Sequence, residues 1–134
     1  MSPYPRDLWE RACKTILTAR REMPFDHDAC AAIAYYAAFY AVSALFAVRE
    51  REFTKHEAVE AAVHKDLVRP GTWPAELGAA YSDLRGLRHT GNYGGSEHVS
   101  PERAKEAVQI AERILRRVSE SQPADFPLPP ELGA

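Results

Sequence analysis

The sequence predicts an all-α fold, a bundle of five mostly antiparallel, up-and-down helical segments, on three observations. Apolar residues recur at three- and four-residue steps through most of the chain. Start and stop signals for helices separate these stretches at short intervals. No run alternates Val, Ile or Thr with polar residues in the way a half-buried strand does. Segments of this kind bury their stripes by packing helix on helix.

The first segment, about Pro5 to Arg21, places Leu8, Trp9, Ala12, Cys13, Ile16 and Leu17 on one stripe, and Met23-Pro24 ends it. Asp26 or Asp28 caps the next helix, with Phe25 set to fold back as a hydrophobic staple. That helix runs to about Arg49 and is apolar on nearly every side, as a central helix is. Alanines at 31, 34, 38, 41 and 44 admit a partner closely, while Tyr35, Tyr36, Phe39, Tyr40 and Phe46 fill wider gaps. Thr54 and Glu57 have capping-box spacing at the head of a third helix, Lys55 to about Val68, which is expected to bury Ala58, Val59, Ala62, Val63 and Leu67. Pro74 suits the first turn of a fourth helix, in which Leu77, Ala80, Tyr81, Leu84 and Leu87 repeat as far as about His89. Gly91, Gly94 and Gly95 loosen its end and the loop beyond. Ser100-Pro101 opens the fifth helix, whose stripe ends at Val118. The expected domain is therefore residues 1–118. Residues 119–134, with four prolines in sixteen residues, are expected to be an extended or disordered tail with Phe126 and Leu128 available to dock on a neighbour.

A chain of 134 residues holds one domain and buries a sizeable core without crosslinks. Seventeen Lys and Arg against nineteen Asp and Glu give a net charge of -2, so no chain-wide basic field attracts nucleic acid, and a basic cleft would have to come from locally placed cations. Cys13 and Cys30 lack Cys-x-x-Cys spacing and read as buried thiols, a disulfide between adjacent helices being the alternative. No His, Cys and Asp cluster has ligand spacing, so neither a metal nor another cofactor is expected. The opening MSPYPRDLWERA lacks the apolar core of a signal peptide, and the cytoplasm is the expected compartment. Ala29 to Val48 is twenty residues without a formal charge, long enough to cross a bilayer. Nearly half are alanine and its three tyrosines lie in mid-segment, so no membrane association is expected.

Four strings carry a family resemblance: AIAYYAAFYAVSALF from Ala32, Lys55-His56, LRGLRHTGNYGG from Leu84, and SPERAKEAVQIAERIL from Ser100. In this order and spacing, from about Asp28 to Leu115, the chain resembles the HEPN superfamily. Within it, the chain looks like the branch of small uncharacterised proteins with a Tyr-Tyr-Ala-x-Phe helix, a Lys-His cap and an R-x4-Y motif ending in Asp/Asn-Tyr. The resemblance implies a four- or five-helix bundle forming a homodimer and serving as an RNA-directed toxin or defence component. It further implies, for many members, metal-independent endoribonuclease activity and a minimal nucleotidyltransferase as antitoxin partner. The family signature is an Arg and a His, four to six residues apart, at the end of the helix matching Pro74 to His89. Arg88 matches the arginine. Tyr93, not a histidine, stands in the histidine's place, Asn92 stands where the branch commonly has Asp, and Ile33 where it usually has Arg.

Metal-independent RNA cleavage needs a base for the 2'-hydroxyl proton, a cation for the charged phosphorane and an acid for the leaving oxygen. Imidazole suits the proton transfers because it titrates near neutrality. The candidate catalytic residues are Arg88, His89 and Tyr93. On a continuous helix His89 points about 100° away from Arg88, towards the side of Arg85. Fraying at Gly91 brings the three together, and His98 lies across the glycine loop. Each has a structural reading beside the functional one: Arg88 as a carboxylate partner or helix cap, His89 as a solvated helix end, Tyr93 as a seal on the last helix, Asn92 as a helix terminator. His56 reads as a helix-start residue bonding to loop backbone. Arg103, Arg113, Arg116 and Arg117, with Arg88, form either a basic stripe or a solvated face with pairs such as Glu112-Arg116. Three functions stay open: a ribonuclease-type toxin; a non-catalytic helical module that binds RNA, a nucleotide or a nucleotidyltransferase partner; and a helical adaptor that only mediates assembly.

Overall fold

The computed structural model describes residues 4–133, so the first three residues of the expected domain and the last residue of the expected tail lie outside it. Among the described residues there are five α-helices and no strand: α1 (Tyr4–Glu22), α2 (His27–Val48), α3 (His56–Ala62), α4 (Ala75–Tyr93) and α5 (Pro101–Ser121). A π-helical turn, Val63–Val68, prolongs α3, and a 3-10 turn, Pro130–Leu132, lies near the end of the tail.

α2 is the hub, packed on α1, α4 and α5 and more lightly on α3. Ala31, Ala34, Ala37, Ala38, Ala41 and Ala44 along it are all inaccessible, as are Tyr35 and Phe46. Methyl side chains let several helices approach one axis at interior packing density. The same helix is long and apolar enough to cross a membrane, yet 67% of its apolar window is buried within the bundle.

Two caps form as read: Asp26 accepts from the Ala29 amide at 3.0 Å, and Ser100 Oγ from the Arg103 amide at 3.2 Å. Other expectations are corrected. Phe25 is 84% exposed and is no staple, because a turn binding the Phe25 and Asp26 amides to the Glu22 carbonyl directs it to solvent. The Thr54/Glu57 box does not form, and α3 begins at His56 without a side-chain cap. His56 sets that start by reaching α2, its Nδ1 2.8 Å from the Tyr35 hydroxyl. Pro74 sits at the cap of α4, one position before the first turn. α4 does not fray near His89 but continues to Tyr93. Gly91 tightens this end: a Cβ there would lie 2.5 Å from the Asp28 carbonyl oxygen, so only glycine lets α4 pass the head of α2.

The loop after α4 is pinned to the same point. Asp28 accepts from the Val99 amide at 2.7 Å and meets His98 Nδ1 at 2.8 Å, and these bonds, the amide foremost, hold its carboxyl below the ordinary value. The two cysteines are free thiols, each pushed up to about 11, chiefly by burial.

α5 outruns the expected boundary at Val118, and the proline-rich segment folds back on α1 instead of standing apart. Phe126 is fully buried with its ring 5.3 Å from that of Trp9, whose Nε1 donates to the Pro127 carbonyl at 2.8 Å. Leu132, rather than Leu128, is the second buried apolar residue of the tail. Trp9 explains the docking, since its large apolar face needs cover and its single N–H needs an acceptor.

Phe126→Ala is expected to cost about 3–5 kcal/mol in urea denaturation, and a loss near zero would show that the tail lies outside the cooperative core. Gly91→Ala is expected to destabilise by about 1–3 kcal/mol. Gly86→Ala, where nothing lies within 4 Å of the new Cβ, is expected to stabilise by about 0.5–1 kcal/mol. Equal shifts for the two glycines in thermal melts would refute the packing reason given for Gly91.

Candidate functional site

Residues three and four apart share a face of a helix, and α4 thus turns Arg85, Arg88 and His89 towards one cleft. Glu60, Ser82 and Gly86 complete the lining of this space of about 290 Å³. His64 steadies one wall, its Nε2 2.8 Å from Ser82 Oγ.

The two arginines have opposite surroundings. Arg85 is neutralised, with Nη1 2.6 Å from Glu60 and Nη2 3.6 Å from Glu57. Burial pushes the Glu60 carboxyl up, but hydrogen bonds from Ser82 and Arg85 outweigh it and hold the group below its ordinary value, hence charged. Arg88 makes no ion pair among the described residues, and its buried Nε has no hydrogen-bond partner. Its guanidinium carbon lies 5.3 Å from the Tyr35 ring centroid, 5.7 Å from Tyr36 and 5.9 Å from Tyr93. Ring faces attract the cation without cancelling its charge. A buried donor left unpaired costs about 1–3 kcal/mol.

His56 packs on the same aromatic group, 5.6 Å from Tyr35, 5.8 Å from Tyr36 and 4.4 Å from Phe39 between ring centroids. Burial first, then the Arg88 and Arg85 guanidinia, hold its imidazole below the ordinary histidine value, against the opposing pull of Glu57. Burial also pushes the Tyr35 phenol up. At neutral pH an uncharged imidazole and an uncharged phenol therefore share the hydrogen bond between α3 and α2.

The three residues named from sequence do meet. Arg88 and His89 line the cleft together, and Tyr93, 65% exposed, lies with its ring 5.4 Å from that of His89. They meet because α4 stays helical, which sets Tyr93 one turn beyond His89, and not through fraying at Gly91. His98 is elsewhere, held by Asp28. The basic stripe does not exist as an open surface. Arg103 pairs with Asp83 and Glu106, Arg113 with Glu76, and Arg116 with Glu112, while Arg117 donates to the Thr72 carbonyl. No cluster of three or more His, Cys, Asp or Glu groups placed to hold a metal occurs among the described residues.

Sequence reasoning missed the aromatic bed of Arg88 and the part His56 takes in it. A signal existed: Tyr in place of Phe at two adjacent positions of a buried, alanine-rich helix calls for polar partners. Only the packing of α3 and α4 on α2 shows which residues answer.

The HEPN domain family model matches residues 5–121. A UPF0332 protein of Thermotoga maritima is 38% identical over 81 residues, 60% of this chain, and the match spans 61% of the length of that curated relative. The family match takes in all five helices but for the first residue of α1, and every residue of the cleft, and the chain belongs to the HEPN domain family.

Proposed function

We propose that this HEPN protein is an RNA-directed toxin or defence component whose Arg88 cleft receives a backbone phosphodiester and cleaves it without a metal. The observation that carries the reading is the unneutralised guanidinium of Arg88, bedded on tyrosine faces in a cleft that a histidine also lines. With a net charge of -2 the chain as a whole repels a polyanion, so one uncompensated cation decides where a phosphate rests.

In this reaction the 2'-hydroxyl oxygen attacks the adjacent phosphorus, the bond from phosphorus to the 5'-oxygen breaks, and a 2',3'-cyclic phosphate remains. His89 takes the 2'-hydroxyl proton. Arg88 opposes the charge that grows on the non-bridging oxygens. Tyr93, beside His89, donates a hydrogen bond to the phosphate or stacks on a base, and water supplies the proton for the departing 5'-oxygen. A homodimer, a minimal nucleotidyltransferase partner and a cytoplasmic setting belong to the same proposal, and the exposure of Tyr93 makes it accessible to such a partner.

A second reading, a helical module that binds RNA without turnover, is favoured by Tyr93 standing in the place of the signature histidine. Purified protein with a short single-stranded RNA in EDTA distinguishes the two. Cleavage is expected to persist in chelator and to fall by about 10²–10³-fold in Arg88→Ala. His89→Gln is expected to abolish cleavage while leaving binding in place. Binding without cleavage by the wild type would select the second reading. RNA affinity unchanged by Arg88→Ala would overturn both.

A further inference from the structure

We propose that His56 is a proton-linked positioning residue of the Arg88 cleft: a phosphodiester bound at Arg88 draws a proton onto His56, so that anion and proton bind together. The inference rests on the reading of the cleft as a phosphate site and adds a residue outside the cleft's own lining.

The geometry starts with shared rings. Arg88 and His56 lie against the same two tyrosines, Tyr35 and Tyr36, one from α4 and the other from the head of α3. His56 is tied to Tyr35 through Nδ1 at 2.8 Å and packs with its ring tilted, 4.4 Å between centroids, on Phe39. A proton on His56 therefore places a second cation on a bed that already holds one, in surroundings where charges interact more strongly than in water.

The groups facing His56 are few. From α3 comes Glu57, which favours the protonated ring; from α2 the phenols Tyr35 and Tyr36; from α4 Arg85 and Arg88, which disfavour it. Arg85 is already compensated by Glu60 and Glu57, so an entering anion changes little there. Arg88 is uncompensated, and an anion seated on it cancels the repulsion His56 feels. Reciprocity then requires that protonating His56 strengthen the anion's binding by the same factor. Between pH 8 and pH 5.5 the affinity is expected to rise on the order of threefold.

The protonated ring also changes its hydrogen bonding. Both nitrogens of an imidazolium donate, so Nδ1 must then donate to the Tyr35 oxygen. That fixes the orientation of the phenol beneath Arg88 when the cleft is occupied.

The test follows the His56 ring by NMR in the full chain, its resonances assigned by comparison with His56→Gln. The probe is a 2'-O-methyl oligouridylate, which has no 2'-hydroxyl to react and keeps nearly the same charge between pH 5 and pH 8. In the free protein the His56 midpoint is expected below that of an ordinary histidine, and saturating probe is expected to raise it. Arg88→Ala is expected to raise the midpoint without probe and to remove the response to it; Arg88→Gln, closer in volume, serves if the alanine variant does not fold. Compared in the His89→Gln background, so that the cleft's own histidine adds no pH dependence, His56→Gln is expected to keep its affinity at pH 8 and lose the gain at low pH, which a merely structural role would not produce. Binding that depends on Arg88 while the His56 midpoint stays still would overturn the coupling alone. Binding that ignores Arg88, or no binding at all, would overturn the phosphate reading and the coupling with it.

Discussion

The alanines of α2 bring its neighbours within reach of its backbone, and both the bundle and the cleft depend on that closeness. Where larger residues would hold α1, α4 and α5 away, the buried alanines of α2 let them settle, and Gly91 removes the remaining obstruction at the head of α2. The tyrosines then become a floor. Because α4 lies so near, Arg88 cannot extend freely into water and instead rests on Tyr35 and Tyr36. The same closeness leaves Nε buried without an acceptor. Elsewhere in the molecule such a group would be paired with a carboxylate.

Charge is distributed with that exception in view. The arginines of α5 find acidic or carbonyl partners, and Arg85 is enclosed by two glutamates. Arg88 alone among the cleft's cations keeps its charge available. An aromatic bed is suited to this, since it orients a planar guanidinium and lowers its energy while leaving the full charge for a ligand. A carboxylate would orient it as well and spend the charge in doing so. His56 shares that bed, and its protonation state consequently reports on what Arg88 has bound.

Much of the helix pattern was legible in the sequence, and the exceptions share a cause. Ser100 and Asp26 cap as local chemistry dictates, because nothing distant competes for their side chains. The start of α3 was misread because His56 answers to Tyr35, twenty-one residues earlier, and not to the local box of Thr54 and Glu57. Gly91 was read as a point of weakness from its intrinsic flexibility, whereas here it serves the contact with Asp28. Proline content suggested a free tail, yet the cover that Trp9 requires outweighs the local preference of residues 122–132.

Periodicity and caps by themselves determined that this chain is helical, that α2 lies at the centre, and that Arg88 stands near the end of the fourth helix. These follow from contacts within a few residues, which a linear sequence displays directly. Only the tertiary structure decided which arginine keeps its charge and that His56 and two tyrosines attend it. Only the fold decided, too, that the last residues close over Trp9. Those outcomes depend on which side chains meet across helices, and the competition among many acidic and aromatic partners is settled by packing distance alone.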